Sequence, residues 1–421
     1  MRRPAHRATT ANLAGLYPFL AGSGLGVERV YIGAEDMGGA FCFDPWLLYR
    51  HRLTNPNMLV AGQIGRGKSS FVKTLLWRGS CFGYRAAVLD PKGEYGPLAT
   101  ALGVEPIRLR PGSGVRLNPL DPGPGADEIG PDEVSRRRLN LLQSIAAAAL
   151  KRDLTPIEKT ACQLALASVA DPCPTIPAVA KALLDPTEEA AAHIRTSAAE
   201  LARSSHDVAL ELRRMCEGDL AGMFDGPTTV ALDWDGPLVV IDLSAMQHDE
   251  SLSILMACAT AWIQAAVARP DAGMCFVVLD EAWRLLSHLG TGRWLRSSLK
   301  LARQYGLCNI LVLHRLSDLV AAGDAGSEQR ALAEGLLSDT ETRVIYAQPD
   351  GEVAPAAELL GLSETERASI PTLPAGVALW KVAGSAHTVE HRYCDMEETI
   401  VFTDARMTGK PNGFTPAGVG R

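Results

Sequence analysis

Residues 62–69 read Gly-Gln-Ile-Gly-Arg-Gly-Lys-Ser, the spacing G-x-x-x-x-G-K-[ST] of a phosphate-binding loop. So short a pattern arises by chance, and its flanks decide its meaning. Before it, Asn57-Met-Leu-Val-Ala-Gly62 is a short apolar strand. After it, Lys68 to Trp77 is a helix-forming run without a breaker. Strand, glycine loop and helix are what the chemistry requires. Glycines let backbone N–H groups turn toward phosphate oxygens, and the helix N-terminus adds positive potential. The expected cradle is Gly62, Gln63, Ile64, Gly65, Arg66, Gly67, Lys68, Ser69 and Ser70. Lys68 is expected to reach the β- and γ-phosphates of ATP, and the Ser69 hydroxyl to ligate Mg²⁺.

The chain has 421 residues, enough for two or three domains and a large core. No apolar run approaches the length that spans a bilayer, and no apolar stretch with a cleavage site follows the basic start. The nine cysteines are scattered singly, none at metal-ligand spacing, and read as small core residues in a reducing compartment. Net charge is −7, which excludes a basic whole-protein footprint for nucleic acid while leaving room for a local basic lining.

Alternation of strand and helix predicts an α/β fold with a mostly parallel central sheet. Residues 1–54 form a leading segment, with strands expected at Val27–Ile32 and Ala40–Phe43. Residues 55–120 carry the phosphate loop, then strands Arg85–Asp90 and Pro106–Arg110. The turn-rich run Asp121-Pro-Gly-Pro-Gly125 opens an Ala- and Leu-rich helical insertion over 121–235. Within it, Thr155-Pro-Ile-Glu158 reads as a capping box with Pro at the first helical position. The α/β pattern resumes over 236–395, with strands at Leu238–Leu243, Cys275–Glu281, Asn309–His314 and Thr342–Gln348. These lack polar alternation, as strands covered by helices on both faces do. A closing hairpin is expected from Val377–Ala383 and His387–Arg392, and 396–421 is a polar tail.

Phe276-Val-Val-Leu-Asp-Glu281 places two carboxylates at the C-terminal end of an apolar strand, the edge where open α/β sheets bind ligands. With the phosphate loop upstream, Asp280 is the candidate for the Mg²⁺ shell and Glu281 for the base that activates water. Taken alone, the pair reads equally well as a helix cap with an acidic first turn. The charged turn Asp90-Pro-Lys-Gly-Glu-Tyr95 ends a neighbouring strand. Lys92 and Glu94 there either approach nucleotide or a neighbouring subunit, or are solvated charges of a type I turn. His314 ends another strand and is a candidate γ-phosphate sensor. Arg303, Arg315 and Arg343 are candidates for an arginine finger acting across a subunit boundary, each with a structural salt bridge as its alternative. His387 and His391 lie in a strand, where a metal site is not expected.

Six motifs occur in order: the phosphate loop, Leu89-Asp-Pro-Lys-Gly-Glu-Tyr95, Leu117-Asn-Pro-Leu-Asp121, Gly222-Met-Phe-Asp-Gly-Pro-Thr228, Val277-Val-Leu-Asp-Glu-Ala-Trp283 and Leu360-Gly-Leu-Ser-Glu-Thr-Glu366. The series resembles the large conjugation ATPases of type IV secretion systems, the VirB-four type, within the FtsK–HerA superfamily of pumping motors. The resemblance covers roughly residues 10 to 405. It implies a RecA-like P-loop motor interrupted by an all-α subdomain. It further implies ATP hydrolysis with Mg²⁺ in a homo-hexamer, and cytoplasmic docking through partner components at the inner face of a membrane channel. DNA is among the implied partners. Members of the family usually carry a separate N-terminal docking domain; about fifty residues precede the motor in this chain, the arrangement expected of a motor half, a truncated homologue or a split protein. Many relatives end the sensor strand with Gln where this chain has His314 followed by Arg315. The rival readings are a HerA-like DNA translocase of repair or phage defence, and an assembly platform that binds nucleotide without turning it over. The acid pair speaks against the platform, which has no need of a base.

Overall fold

The computed structural model describes residues 25–401 apart from 27, 37, 50, 124–125, 170–172, 219, 231–234, 247–248, 268–272, 287 and 317–326. The first 24 residues of the leading segment and residues 402–421 of the tail lie outside the described residues. Eleven strands form one sheet: β1 Val30–Glu35, β2 Ala40–Phe43, β3 Met58–Ala61, β4 Arg85–Asp90, β5 Ile107–Arg108, β6 Leu238–Asp242, β7 Cys275–Leu279, β8 Leu307–Leu313, β9 Thr342–Tyr346, β10 Val377–Val382 and β11 Ser385–His391. Their spatial order is β2-β1-β11-β10-β9-β3-β8-β7-β4-β6-β5. From β9 to β5 every neighbouring pair is parallel. From β9 to β2 every pair is antiparallel. The mostly parallel sheet expected from the sequence thus carries an antiparallel wing on one side.

The strands of the parallel part are apolar on both faces for a reason visible residue by residue. In β3, Leu59 and Ala61 enter one core while Met58 and Val60 enter the other. In β7, Val277 and Leu279 face the first core, Phe276 and Val278 the second. Successive side chains point to opposite faces, so a strand covered on both sides needs no polar alternation. Helix α1, Lys68–Ser80, covers the second face with Phe71, Val72, Leu75 and Leu76.

The region between β5 and β6 is helical, as its composition predicts: the longer helices are α2 Pro131–Leu150, α3 Pro156–Ser168, α4 Ile176–Leu184 and α5 Ala198–Glu217. It is not insulated from the sheet. Leu141, Leu142 and Ile145 of α2 share the first core with Leu59, Leu89 and Val277. The leading segment is likewise built into the sheet rather than laid on it. β1 spans Val30–Glu35 and pairs with β11, far along the chain; Val27, the start expected for this strand, lies outside the described residues.

The expected capping box is present. The Thr155 Oγ1 accepts from the Glu158 N–H at 3.4 Å, and Glu158 Oε2 accepts from the Thr155 N–H at 2.7 Å. Arg152 adds two hydrogen bonds to the same carboxylate, at 2.8 and 2.7 Å. Those Arg152 bonds, against the opposing effect of burial, hold the Glu158 pKa down at about 2. Glu158→Ala should therefore destabilise the fold by about 2 kcal/mol, measured by urea unfolding at neutral pH. Because the folded pKa is depressed, this contribution is complete above the ordinary carboxylate range. It disappears as pH falls toward 2, so the wild-type and mutant curves should converge in acid.

Candidate functional site

The parallel strands deliver their C-terminal ends to one edge. There the loop after β3 meets the ends of β9, β8, β7 and β4. β8 lies between β3 and β7, so the phosphate loop and the acid pair are one strand apart. Gly62 follows β3 against β9: a Cβ on it would sit 2.5 Å from the Tyr346 Cβ. Gly65 and Gly67 have φ of +75° and +109°, a region that favours glycine. Two backbone bonds anchor the loop. The Gln63 N–H donates to the Ala347 carbonyl at 3.2 Å, and the Gly376 N–H to the Arg66 carbonyl at 3.0 Å. Lys68 Nζ donates to the carbonyls of Gly62 and Gln63 at 2.5 and 2.9 Å. Burial, and then the nearby Lys92 charge, lower its pKa to about 8. Beside the loop lies a cleft of about 300 Å³, lined by 64–71 and by Lys92, Glu94, His314, Gly376, Arg392 and Tyr393 among others.

Both carboxylates are buried, Asp280 at 2% and Glu281 at 3% exposure. They are differently served. Asp280 Oδ1 accepts the Glu281 N–H at 3.0 Å, while Oδ2 is buried with no partner among the described residues. Burial raises the Asp280 pKa to about 6, with Lys92 opposing. Glu281 has three donors. Its Oε1 meets Lys92 Nζ at 2.5 Å and also His314 Nε2, and its Oε2 accepts from the Trp283 indole at 2.5 Å. Burial pushes this carboxyl up, but His314 and Lys92 outweigh it and hold the pKa at about 2. Glu281 also sits at φ +56°, a left-handed conformation uncommon outside glycine, at the point where β7 turns into the next helix.

The turn after β4 supplies Lys92 because Asp90 shapes it. The Asp90 carboxylate, 1% exposed, accepts the N–H groups of Lys92, Gly93, Glu94 and Tyr95 at 3.2, 2.8, 3.1 and 2.9 Å. Lys92 and Glu94 both line the cleft beside the phosphate loop. His314 Nε2 lies 2.7 Å from Lys92 Nζ as well as against Glu281, so it accepts from the first or, protonated, donates to the second, but not both.

No family model matches the chain, and no curated protein matches it in sequence. Solved structures do match. VirB4 of Thermoanaerobacter pseudethanolicus superposes with a TM-score of 0.72 at 22% identity, over 89% of this chain and 100% of that one. The chain has the VirB4 fold. The plasmid coupling protein TrwB in complex with ADP and Mg²⁺ gives a TM-score of 0.54 at 16% identity, over 80% of this chain and 86% of that one. TrwB with a non-hydrolysable ATP analogue gives the same figures. The RecA-like P-loop architecture expected from the motif series is therefore the architecture observed.

Within the VirB4 fold the structure gathers Lys68, Ser69, Ser70, Lys92, Asp280, Glu281 and His314 at one edge. Of the candidate arginines, Arg315 directly follows His314 at this edge, while Arg303 and Arg343 lie elsewhere. Arg303 is exposed and precedes β8, at the opposite edge. Arg343 is the correction among them. Its guanidinium donates to the carbonyls of Thr340, Leu360 and Leu337 at 3.3, 2.7 and 2.9 Å, so it ties β9 to its own surroundings and is not free to act across a boundary. Arg315 is 67% exposed and 4.0 Å from Glu352. His387 is bound to Glu35 at 2.8 Å, and no metal-holding group of three His, Cys, Asp or Glu occurs among the described residues.

Two groups at this edge carry no clear mark in the sequence. Gln348, just past β9, accepts the Leu316 N–H at 3.0 Å and so fixes the backbone beyond His314. Its only signal is a polar residue at a strand end, the same one that marks His314. Tyr346, under Gly62 and Gly67, bonds to Nδ1 of His391, whose Nε2 accepts from the Trp380 indole at 2.8 Å. An indole only donates, so Nε2 is unprotonated and Nδ1 carries the proton.

Two outcomes follow from these contacts. Gly62→Ala should force β3 and β9 apart, lowering stability by about 1–3 kcal/mol and weakening nucleotide binding; a thermal melt and a titration with fluorescent ATP measure the two. Burial, then Arg78, lowers the His391 pKa to about 3, below its ordinary 6.5. The unfolded chain thus takes up the proton first, and stability should fall as pH drops from about 6.5 toward 3. Between pH 7 and pH 5 the loss should be about 2 kcal/mol in denaturant unfolding, and His391→Gln, which keeps an acceptor for Trp380, should remove it.

Proposed function

We propose that the chain is a Mg²⁺-dependent ATP hydrolase that energises type IV secretion or conjugative transfer. The observation that carries this reading is that an intact phosphate loop and acid pair converge within a fold superposing on the full length of the solved VirB4 chain. The motor halves are 55–120 and 236–395, with 121–235 as the interrupting helical subdomain. The working form is a homo-hexamer docked through other secretion components at the inner face of the membrane. Among the described residues no helix is long and apolar enough to cross a membrane, in keeping with attachment through partners.

The loop N–H groups and Lys68 bind the phosphates, which draws Lys68 off the two carbonyls it now holds. The buried, unpartnered Oδ2 of Asp280 is the kind of oxygen a metal shell satisfies, and with the Ser69 hydroxyl it fits Mg²⁺. When bound, that ion neutralises charge on the β- and γ-phosphates. Glu281 takes the proton of the attacking water as its oxygen bonds to the γ-phosphorus and the bond to the β-phosphate oxygen breaks. His314 orients that carboxylate. With Arg343 in the scaffold, Arg303 and Arg315 remain as candidates for a finger reaching a neighbouring subunit.

Steady-state hydrolysis tests the assignment. Lys68→Ala should lower turnover by at least about a hundredfold, and Glu281→Gln by a similar factor while retaining bound ATP. Retained turnover in either variant removes that residue from its catalytic role. DNA separates the cargo classes: strong stimulation by DNA favours a nucleic-acid pump of the HerA kind, and indifference favours a secretion energiser.

A further inference from the structure

Glu281 as the proton acceptor is the reading on which the following inference rests. A general base needs a lone pair free to face its water. Both oxygens of Glu281 are engaged, by Lys92, His314 and Trp283. Three donors leave the carboxylate about one of its four lone-pair sites, on Oε2, and Oε1 is cleared only as Lys92 or His314 withdraws; the three donors differ in how readily they do so. Trp283 is on the same turn, with the Arg284 guanidinium over its ring at 4.6 Å. His314 directly follows buried β8. Lys92 carries its ammonium on a flexible four-carbon stem, is 34% exposed, and lines the same cleft as Lys68 and Ser69. Only its side chain is loose: its backbone is held by Asp90.

We propose that Lys92 is a positioning residue that senses the terminal phosphate, holding Glu281 through their ion pair and freeing it by transferring that ion pair to the γ-phosphate. The γ-phosphate is a strong rival for an ammonium, since it carries more charge than a carboxylate. ADP has no such group and leaves Lys92 on Glu281. As Lys92 withdraws, His314 Nε2 no longer faces two partners and stays with the carboxylate alone.

The test compares the affinity of a non-hydrolysable ATP analogue with that of ADP, both with Mg²⁺, by calorimetric titration of the full chain. Lys92→Met should weaken the analogue about tenfold and leave ADP within about twofold, and Lys92→Arg should restore most of the difference. Glu281→Gln removes the rival anion, so it should tighten the analogue several-fold alone and have no effect beside Lys92→Met. A lysine that merely supports the turn would weaken ADP and analogue alike, or give effects that add in the double variant; either result overturns the proposal. If Lys92→Met fails to fold, Lys92→Arg and Glu281→Gln carry the test: no tightening in Glu281→Gln defeats it. If wild type binds neither nucleotide, or Lys68→Ala changes neither affinity, the ATPase reading itself fails and this inference with it.

Discussion

Two carboxylates buried side by side at the end of β7 are the constraint around which this edge of the sheet is arranged. Neither Asp280 nor Glu281 keeps more than a few per cent of its surface, and a buried charge without compensation is strongly unfavourable. The chain meets the problem in two ways. Glu281 receives an ammonium, an imidazole and an indole, and remains ionised. Asp280 receives one backbone N–H on one oxygen and nothing on the other, and its pKa rises. The asymmetry has chemical content. One carboxylate is compensated by protein groups, and the other keeps an oxygen without a partner among the described residues.

Sheet order makes this possible. Placing β8 between β3 and β7 leaves room for His314 between the phosphate loop and the acids, and β4 on the far side of β7 brings Lys92 in from the opposite direction. Asp90 then fixes where Lys92 starts. Four N–H groups converging on one buried carboxylate make the turn rigid, so the motion of Lys92 is that of a side chain rather than a loop.

Much of this is legible in the sequence wherever the signal is local. The phosphate loop, the strand Arg85–Asp90, the Thr155–Glu158 capping box and the acid pair all depend on residues within a few positions of one another. What cannot be read depends on contacts between distant segments. Nothing in Arg343 and its neighbours says that its guanidinium will be consumed by the carbonyls of Leu337 and Leu360. Nothing in Asp90-Pro-Lys-Gly-Glu-Tyr95 says which anion Lys92 will meet. The leading segment reads as a piece apart from the motor because β1, paired with β2 on one side, finds its other partner only in the C-terminal hairpin, and local pattern carries no register across such a gap.

That hairpin matters for more than closure of the sheet. Tyr346 packs beneath Gly62 and Gly67, where any side chain on the first would collide with it. The same tyrosine is bonded to His391, His391 to Trp380, and Trp380 packs edge-on against Phe41 and Phe71, with ring centroids 5.0 and 5.2 Å apart. Phe41 belongs to β2 and Phe71 to the helix that starts at the phosphate loop. A closed circuit thus runs from the loop through β9 and β11 into the wing and back to the loop's own helix. Its members interlock by shape and by a single tautomer, so the loop cannot move without disturbing the wing. The antiparallel wing is therefore part of the phosphate loop's framework, and strands contributed by the leading segment help set the shape of a loop that follows them in the chain.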